Sequence, residues 1–185
     1  YAAEVAAEPL PVEIQHAAKQ RCVDWFATTI PGSVVAPATL LREALAEDVD
    51  RGGARLIPDG VNATTRTAAY INAAASHTVE FDDIYGPGVY HPGVSVISAA
   101  LAIAEDRQVT GELFLKAVVA GYEISNRIGA ALQPAHYRFW HTTGTVGTFG
   151  AAAAASVILG LSATETAHAL ANSATFAAGL KRAFL

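Results

Sequence analysis

The stretch His77-Thr78-Val79-Glu80-Phe81-Asp82-Asp83-Ile84-Tyr85-Gly86-Pro87-Gly88-Val89-Tyr90-His91-Pro92 interrupts a chain that is otherwise mostly alanine, valine and leucine. It gathers three carboxylates (Glu80, Asp82, Asp83), two histidines, two tyrosines and two prolines in sixteen residues. Upstream, the residues from Ala63 to about Phe81 read as an alanine-rich helix carrying Tyr70, Ile71, Ala75 and Val79, which delivers the charged group at its C-terminal end. Downstream, Pro92 suits the first turn of a helix running to Glu105, because its missing N–H needs no partner there. Dense ionisable groups between two apolar helices are what proton-transfer chemistry requires.

Helical patterning continues on both sides. Leu10 to Ile30 reads as a helix with an apolar stripe of Ile14, Ala18, Cys22, Phe26 and Ile30, ended by Pro31-Gly32-Ser33. A second helix is predicted over Pro37 to Glu47, with Leu40, Leu41, Ala44 and Leu45 facing inward. Ala54 to Ile57, closed by the turn Pro58-Asp59-Gly60, is the only strand-like stretch. Thr110 can cap a helix that runs through Leu113, Val118, Tyr122 and Ile128. The residues His136 to His141 are expected in a loop, followed by a glycine- and alanine-rich helix ending at Gly160. Ser162-Ala163-Thr164-Glu165 forms a capping box for a last helix toward Gly179. The expected fold is all-α, built from closely packed small-residue helices.

Bulk composition narrows the function. At 185 residues the chain can bury one core. With 52% hydrophobic and 16% charged residues, much of it must be internal. A net charge of -5 with scattered basic residues excludes a nucleic-acid footprint. The single Cys22 rules out an internal disulfide framework, and an iron–sulfur cluster or multi-cysteine zinc site supplied by this chain alone. No apolar run is long and strong enough to span a bilayer, and no signal-peptide pattern opens the chain, so a cytoplasmic setting is expected. A start at Tyr1, no methionine and an end at Leu185 straight after a helical stretch suggest a fragment.

Two clusters carry candidate chemistry. In the first, clustered carboxylates repel, which raises the pKa of at least one toward the working range of a general acid or base. The bland alternative is a solvated loop whose aspartates cap helix ends. His77, Asp82, Asp83 and His91 are competent metal ligands, but their spacing matches no established motif, so no metal is expected. The second cluster is Arg138-Phe139-Trp140-His141-Thr142-Thr143-Gly144, where His141 precedes a helix start whose free N–H groups and threonine hydroxyls suit a carboxylate. The alternative is a histidine that merely caps a helix. Gly144, Gly147 and Gly150 follow no predicted strand, so close helix packing explains them better than nucleotide binding. His136 and His168 read as surface residues, Glu123 as a buried hydrogen-bonding group, and Lys181 and Arg182 as helix-end charges.

The order of these motifs resembles the MmgE/PrpD family. The matching pieces are Ala68-Ala69-Tyr70-Ile71-Asn72-Ala73, His77, Glu80-Phe81-Asp82-Asp83, His91-Pro92-Gly93, Ala117 to Glu123, His141-Thr142-Thr143-Gly144 and Gly147 to Ala152. They extend from about Leu10 to Leu180. The resemblance implies that residues 1–185 are the N-terminal portion of a large helical domain, with a smaller lid domain outside this chain. It also implies a homodimer, a small polycarboxylate substrate and no cofactor. The family's site residues map onto Glu80, His91 and His141. Asp83 is a further candidate for catalysis, and Tyr85, Thr142 and Thr143 for substrate binding. Many members have aspartate at the position of Glu80 and threonine at that of Ile84. The family also uses a lysine, to which Lys181 does not correspond.

The leading expectation is a lyase of the 2-methylcitrate dehydratase type. It would remove a proton α to a carboxylate while an acid protonates the departing hydroxyl. His91 and His141 transfer protons or hold carboxylates in either order, and Glu80 and Asp83 orient them or act as the base. Epimerisation and decarboxylation are open on the same scaffold. The alternative of another class is a non-catalytic helical oligomerisation module.

Overall fold

The structure, a computed structural model, describes residues 1–184, and the side chains of all of these except 133, 134, 183 and 184. Its helices are α1 (Ala2–Ala7), α2 (Val12–Gly32), α3 (Ala38–Ala44), α4 (Thr65–Thr78), α5 (Pro92–Arg107), α6 (Gly111–Tyr137), α7 (Thr142–Ile158) and α8 (Ala163–Ser173). Strands β1 (Val49–Arg55) and β2 (Asn62–Ala63) form a small antiparallel hairpin between α3 and α4. Among the described residues no helix is long and apolar enough to cross a membrane.

Helix α5 is the centre of the molecule, packed against α2, α4, α6, α7 and β1. Val96, Ile97 and Ala100 on α5 meet Ala117, Val118 and Ala120 of α6 and Ala154 and Val157 of α7. Full burial of each valine or isoleucine here contributes about 1.5–3 kcal/mol. The indole of Trp25 is buried on α2, and its N–H donates to Ser98 Oγ at 3.1 Å, so the one polar atom of that ring is satisfied. Small residues set how closely the helices approach. A Cβ at Gly150 would lie 2.7 Å from Val96 Cγ2, and one at Gly147 the same distance from Ser95 Oγ. Gly147 and Gly150 are thus packing glycines, as the sequence predicts.

Several expectations need correction. The α2 stripe drawn at four-residue steps is only partly buried, with Ile14, Phe26 and Ile30 exposed at 39%, 37% and 48%. Each such step advances the face by about 40°, so the stripe winds off the core. The buried line runs instead through Ala18, Trp25, Thr28, Thr29 and Gly32. On α3, Leu40 and Ala44 face outward, where no described element covers them. The strand lies earlier than expected and has a partner, β2. Gly52 and Gly53 lie inside β1, and Gly52 at φ 73° lets the strand bulge where a Cβ would come within 2.7 Å of the Ala63 carbonyl. The helix α6 continues to Tyr137, which shortens the expected loop to residues 138–141, and α8 stops at Ser173 rather than near Gly179. Glu123 accepts from Arg127 Nε at 2.6 Å on the surface, one turn along α6, rather than from a buried group. The caps at Thr110 and at Ser162 with Glu165 are as predicted.

Candidate active site

Three chain segments converge on one corner of the bundle: the C-terminal end of α4, the N-terminus of α5 and the N-terminus of α7. They bring together His77, His91 and His141, which are far apart in sequence. His91 and His141 are the N-cap residues of α5 and α7, and neither side chain caps its own helix. The His91 N–H donates to Thr143 Oγ1 at 3.2 Å, tying the two helix starts together. Ring centroids of His77 and His91 are 4.9 Å apart, and those of His77 and His141 are 6.0 Å apart with the planes 15° from parallel. Neighbouring helix N-termini give a positive electrostatic field, and the first N–H groups of α7 have no preceding turn to bond. An anionic group fits there.

Asp82 organises two of the imidazoles. Its buried carboxylate accepts from His77 Nδ1 at 2.9 Å through Oδ2. His91 Nδ1 lies 3.2 Å from the same oxygen, but without the alignment of a hydrogen bond, so this contact is chiefly electrostatic. Burial alone would raise the Asp82 carboxyl, yet the two histidines outweigh it and bring it down to about 2. The Asp82 carboxylate in turn raises His91 above the usual imidazole value, against the effect of burial. His141 moves the other way. Burial lowers it, the charges of His77, His91 and Lys181 add to that, and Glu80 opposes them.

The remaining expected residues divide. Glu80 stands exposed beside His141, at φ 58°, a left-handed conformation uncommon outside glycine that aims this segment back across the helix end. Asp83 is engaged elsewhere. Gly93 N–H donates to its Oδ1 at 3.1 Å and the Tyr122 hydroxyl to its Oδ2 at 3.0 Å, while its own N–H donates to Asp24 Oδ2 at 3.0 Å. Burial raises the Asp83 carboxyl, partly offset by those donors. Tyr85 pairs through its backbone with Tyr90, and its ring edge packs by Gly88. Thr142 and Thr143 are both buried at the start of α7, Thr143 bonded to His91 and the Thr142 hydroxyl without a hydrogen-bond partner. Ile84 is 61% exposed beside this corner.

Residues 1–184 match the MmgE/PrpD N-terminal domain. The chain belongs to the MmgE/PrpD family. It is 30% identical to a cis-aconitate decarboxylase-like protein of Aspergillus oryzae over 97% of this chain and 39% of that protein. It is 36% identical to the human cis-aconitate decarboxylase over 56% of this chain and 23% of that protein, and equally to the mouse one over 22% of its length. The chain therefore spans well under half of each of these relatives.

The sequence pattern underrated two residues of this corner. His77 and Asp82 appear in the sequence only as parts of a charged stretch and as possible ligands. Their five-residue offset across a helix end is the one signal that could have paired them, and it becomes readable only once α4 is known to stop at Thr78. The donor atoms of His77, Asp82 and His91 all lie within 4.8 Å of one another, a span that a cation can also bridge. Lys181, expected as an ordinary helix-end charge, sits with its ammonium 3.9 Å from the Tyr137 ring centroid and close enough to influence His141.

Proposed function

We propose that this chain forms the helical wall of a lyase site that binds a small polycarboxylate and moves a proton beside one of its carboxylates. The observation that carries this reading is the pair of N-cap histidines at adjoining helix starts, shifted in opposite directions. His91, raised, is the proton donor and carboxylate contact. His141, lowered, is neutral near pH 7 and can accept a proton. General acid–base catalysis needs this division of labour, and the helix N-termini supply fixed positive charge for the carboxylates that stay behind.

The names of the Aspergillus, human and mouse relatives favour decarboxylation. In that reaction the bond to one carboxylate carbon breaks, carbon dioxide leaves, and the electron pair left on carbon takes a proton from His91. Dehydration of the 2-methylcitrate type uses the same groups, with His141 removing the α proton and His91 protonating the departing hydroxyl. The test is to supply the complete protein with cis-aconitate and with 2-methylcitrate, following gas release and product by mass. Carbon dioxide from cis-aconitate supports the first reaction, and water loss from 2-methylcitrate the second. Inactivity on both and on a wider set of di- and tricarboxylates, or unchanged turnover in both His91→Ala and His141→Ala, would sink the proposal.

A further inference from the structure

The proposed reaction uses His91 and His141, yet the geometric centre of the corner is neither of them. His77 lies between the two rings, 4.9 Å from one centroid and 6.0 Å from the other. It is pinned by Asp82, whose side chain is 3% exposed and whose Oδ2 faces the Nδ1 atoms of both His77 and His91. We propose that Asp82 and His77 are a positioning pair, in which one Asp82 oxygen holds His77 by a hydrogen bond and favours the Nδ1–H form of His91 by its charge, while His77 braces the ring of His141. This rests on the lyase reading above and names the residues that hold its two histidines in their separate roles.

The physical argument has three steps. A carboxylate facing Nδ1 fixes the tautomer of an imidazole and leaves Nε2 as the atom available for reaction. Asp82 does this for His77 through a hydrogen bond and for His91 through its charge at 3.2 Å, and its burial keeps water from competing for the oxygen. A ring held at one nitrogen cannot rotate freely, so His77 presents a fixed face against which His141 stacks. The groups that bear on His91 are Asp82, Asp83 and His77; those on His141 are His77, His91, Glu80, Lys181 and the Tyr137 ring. Asp82 and His77 connect the two sets. The His141 amide is fixed independently, by donation to the Gly179 carbonyl at 2.7 Å, so the side chain can respond to His77 while the backbone stays in place.

The experiment uses the complete protein with Asp82→Asn and His77→Gln, each checked for folding by circular dichroism. Nitrogen-15 NMR of the histidine rings gives tautomer and titration without needing a substrate. In Asp82→Asn we expect His91 to titrate lower and to lose its single tautomer. In His77→Gln we expect the His141 titration to rise while that of His91, still facing Asp82, keeps its raised value; a general loosening of the corner would move both. With an accepted substrate, Asp82→Asn should lower kcat roughly tenfold to a hundredfold with KM little changed, the scale of losing a residue that orients a reacting group. Its alkaline limb should move to lower pH. Unchanged ring signals for His91 and His141 in both folded variants would overturn the positioning pair whatever the substrate proves to be. Turnover that is lost to a chelator and restored by zinc would overturn it too, since Asp82 would then serve a cation. An unsubstituted protein inactive on every polycarboxylate counts against the lyase reading alone.

Discussion

Asp82 and Asp83 are adjacent carboxylates with opposite fates, and their neighbours explain why. Asp82 faces two imidazoles and is held well below the ordinary carboxylate value, while Asp83 is buried among neutral donors and is raised. The consequence for pH dependence follows from the histidines. His141 is lowered from 6.5, so its basic form appears as pH rises through that lowered value. His91 is raised from 6.5, so its acidic form persists until pH passes that raised value. A plot of kcat/KM against pH for the complete protein should therefore be a bell with a plateau spanning 6.5, broader than two unshifted histidines give. A narrow peak would contradict the assignment. Tyr122→Phe tests the other aspartate: it leaves Asp83 Oδ2 buried without its donor, and should cost about 1–3 kcal/mol in urea unfolding.

At the scale of elements, glycines decide how closely helices meet. Gly32 ends α2 directly against α4, and a Cβ there would overlap the Ala75 carbonyl, which is backbone and cannot swing aside. Gly111 opens α6 with open space around it. We expect Gly32→Ala to destabilise the fold by about 1–3 kcal/mol or more, as overpacking does. Gly111→Ala should be neutral or gain up to about 1 kcal/mol from reduced chain freedom. Paired thermal melts check the contrast, and equal shifts would refute it. A third glycine links elements to the site. Gly179, at φ 103°, accepts the His141 N–H through its carbonyl and lies where a Cβ would come within 3.3 Å of the His141 carbonyl. Gly179→Val should strain this tie and speed amide exchange most at His141 and least in α5, read by hydrogen exchange; uniform changes would count against a local role.

For the whole molecule, the sequence by itself determined most of the helices and the family. Caps at Thr110 and Ser162, Pro92 at a helix start and glycine–alanine spacing are local signals, because capping and close packing depend on residues a few positions apart. The ordered motifs around His77, His91 and His141 also sufficed to place the chain in the MmgE/PrpD family. Tertiary structure decided what local signals cannot carry. Which face of α2 is buried depends on α4 and α5 lying against it, and the bulge of β1 at Gly52 depends on its pairing with β2. The assignment of Asp82 to the histidines and Asp83 to Tyr122 is of the same kind, since neighbours in sequence point to groups from different helices. Even the opposite shifts of His91 and His141 come from the fold, Asp82 raising the one, and burial with the charge of His77 lowering the other. The chain specifies which groups are present; the electrostatics that set their roles arise only when α4, α5 and α7 meet.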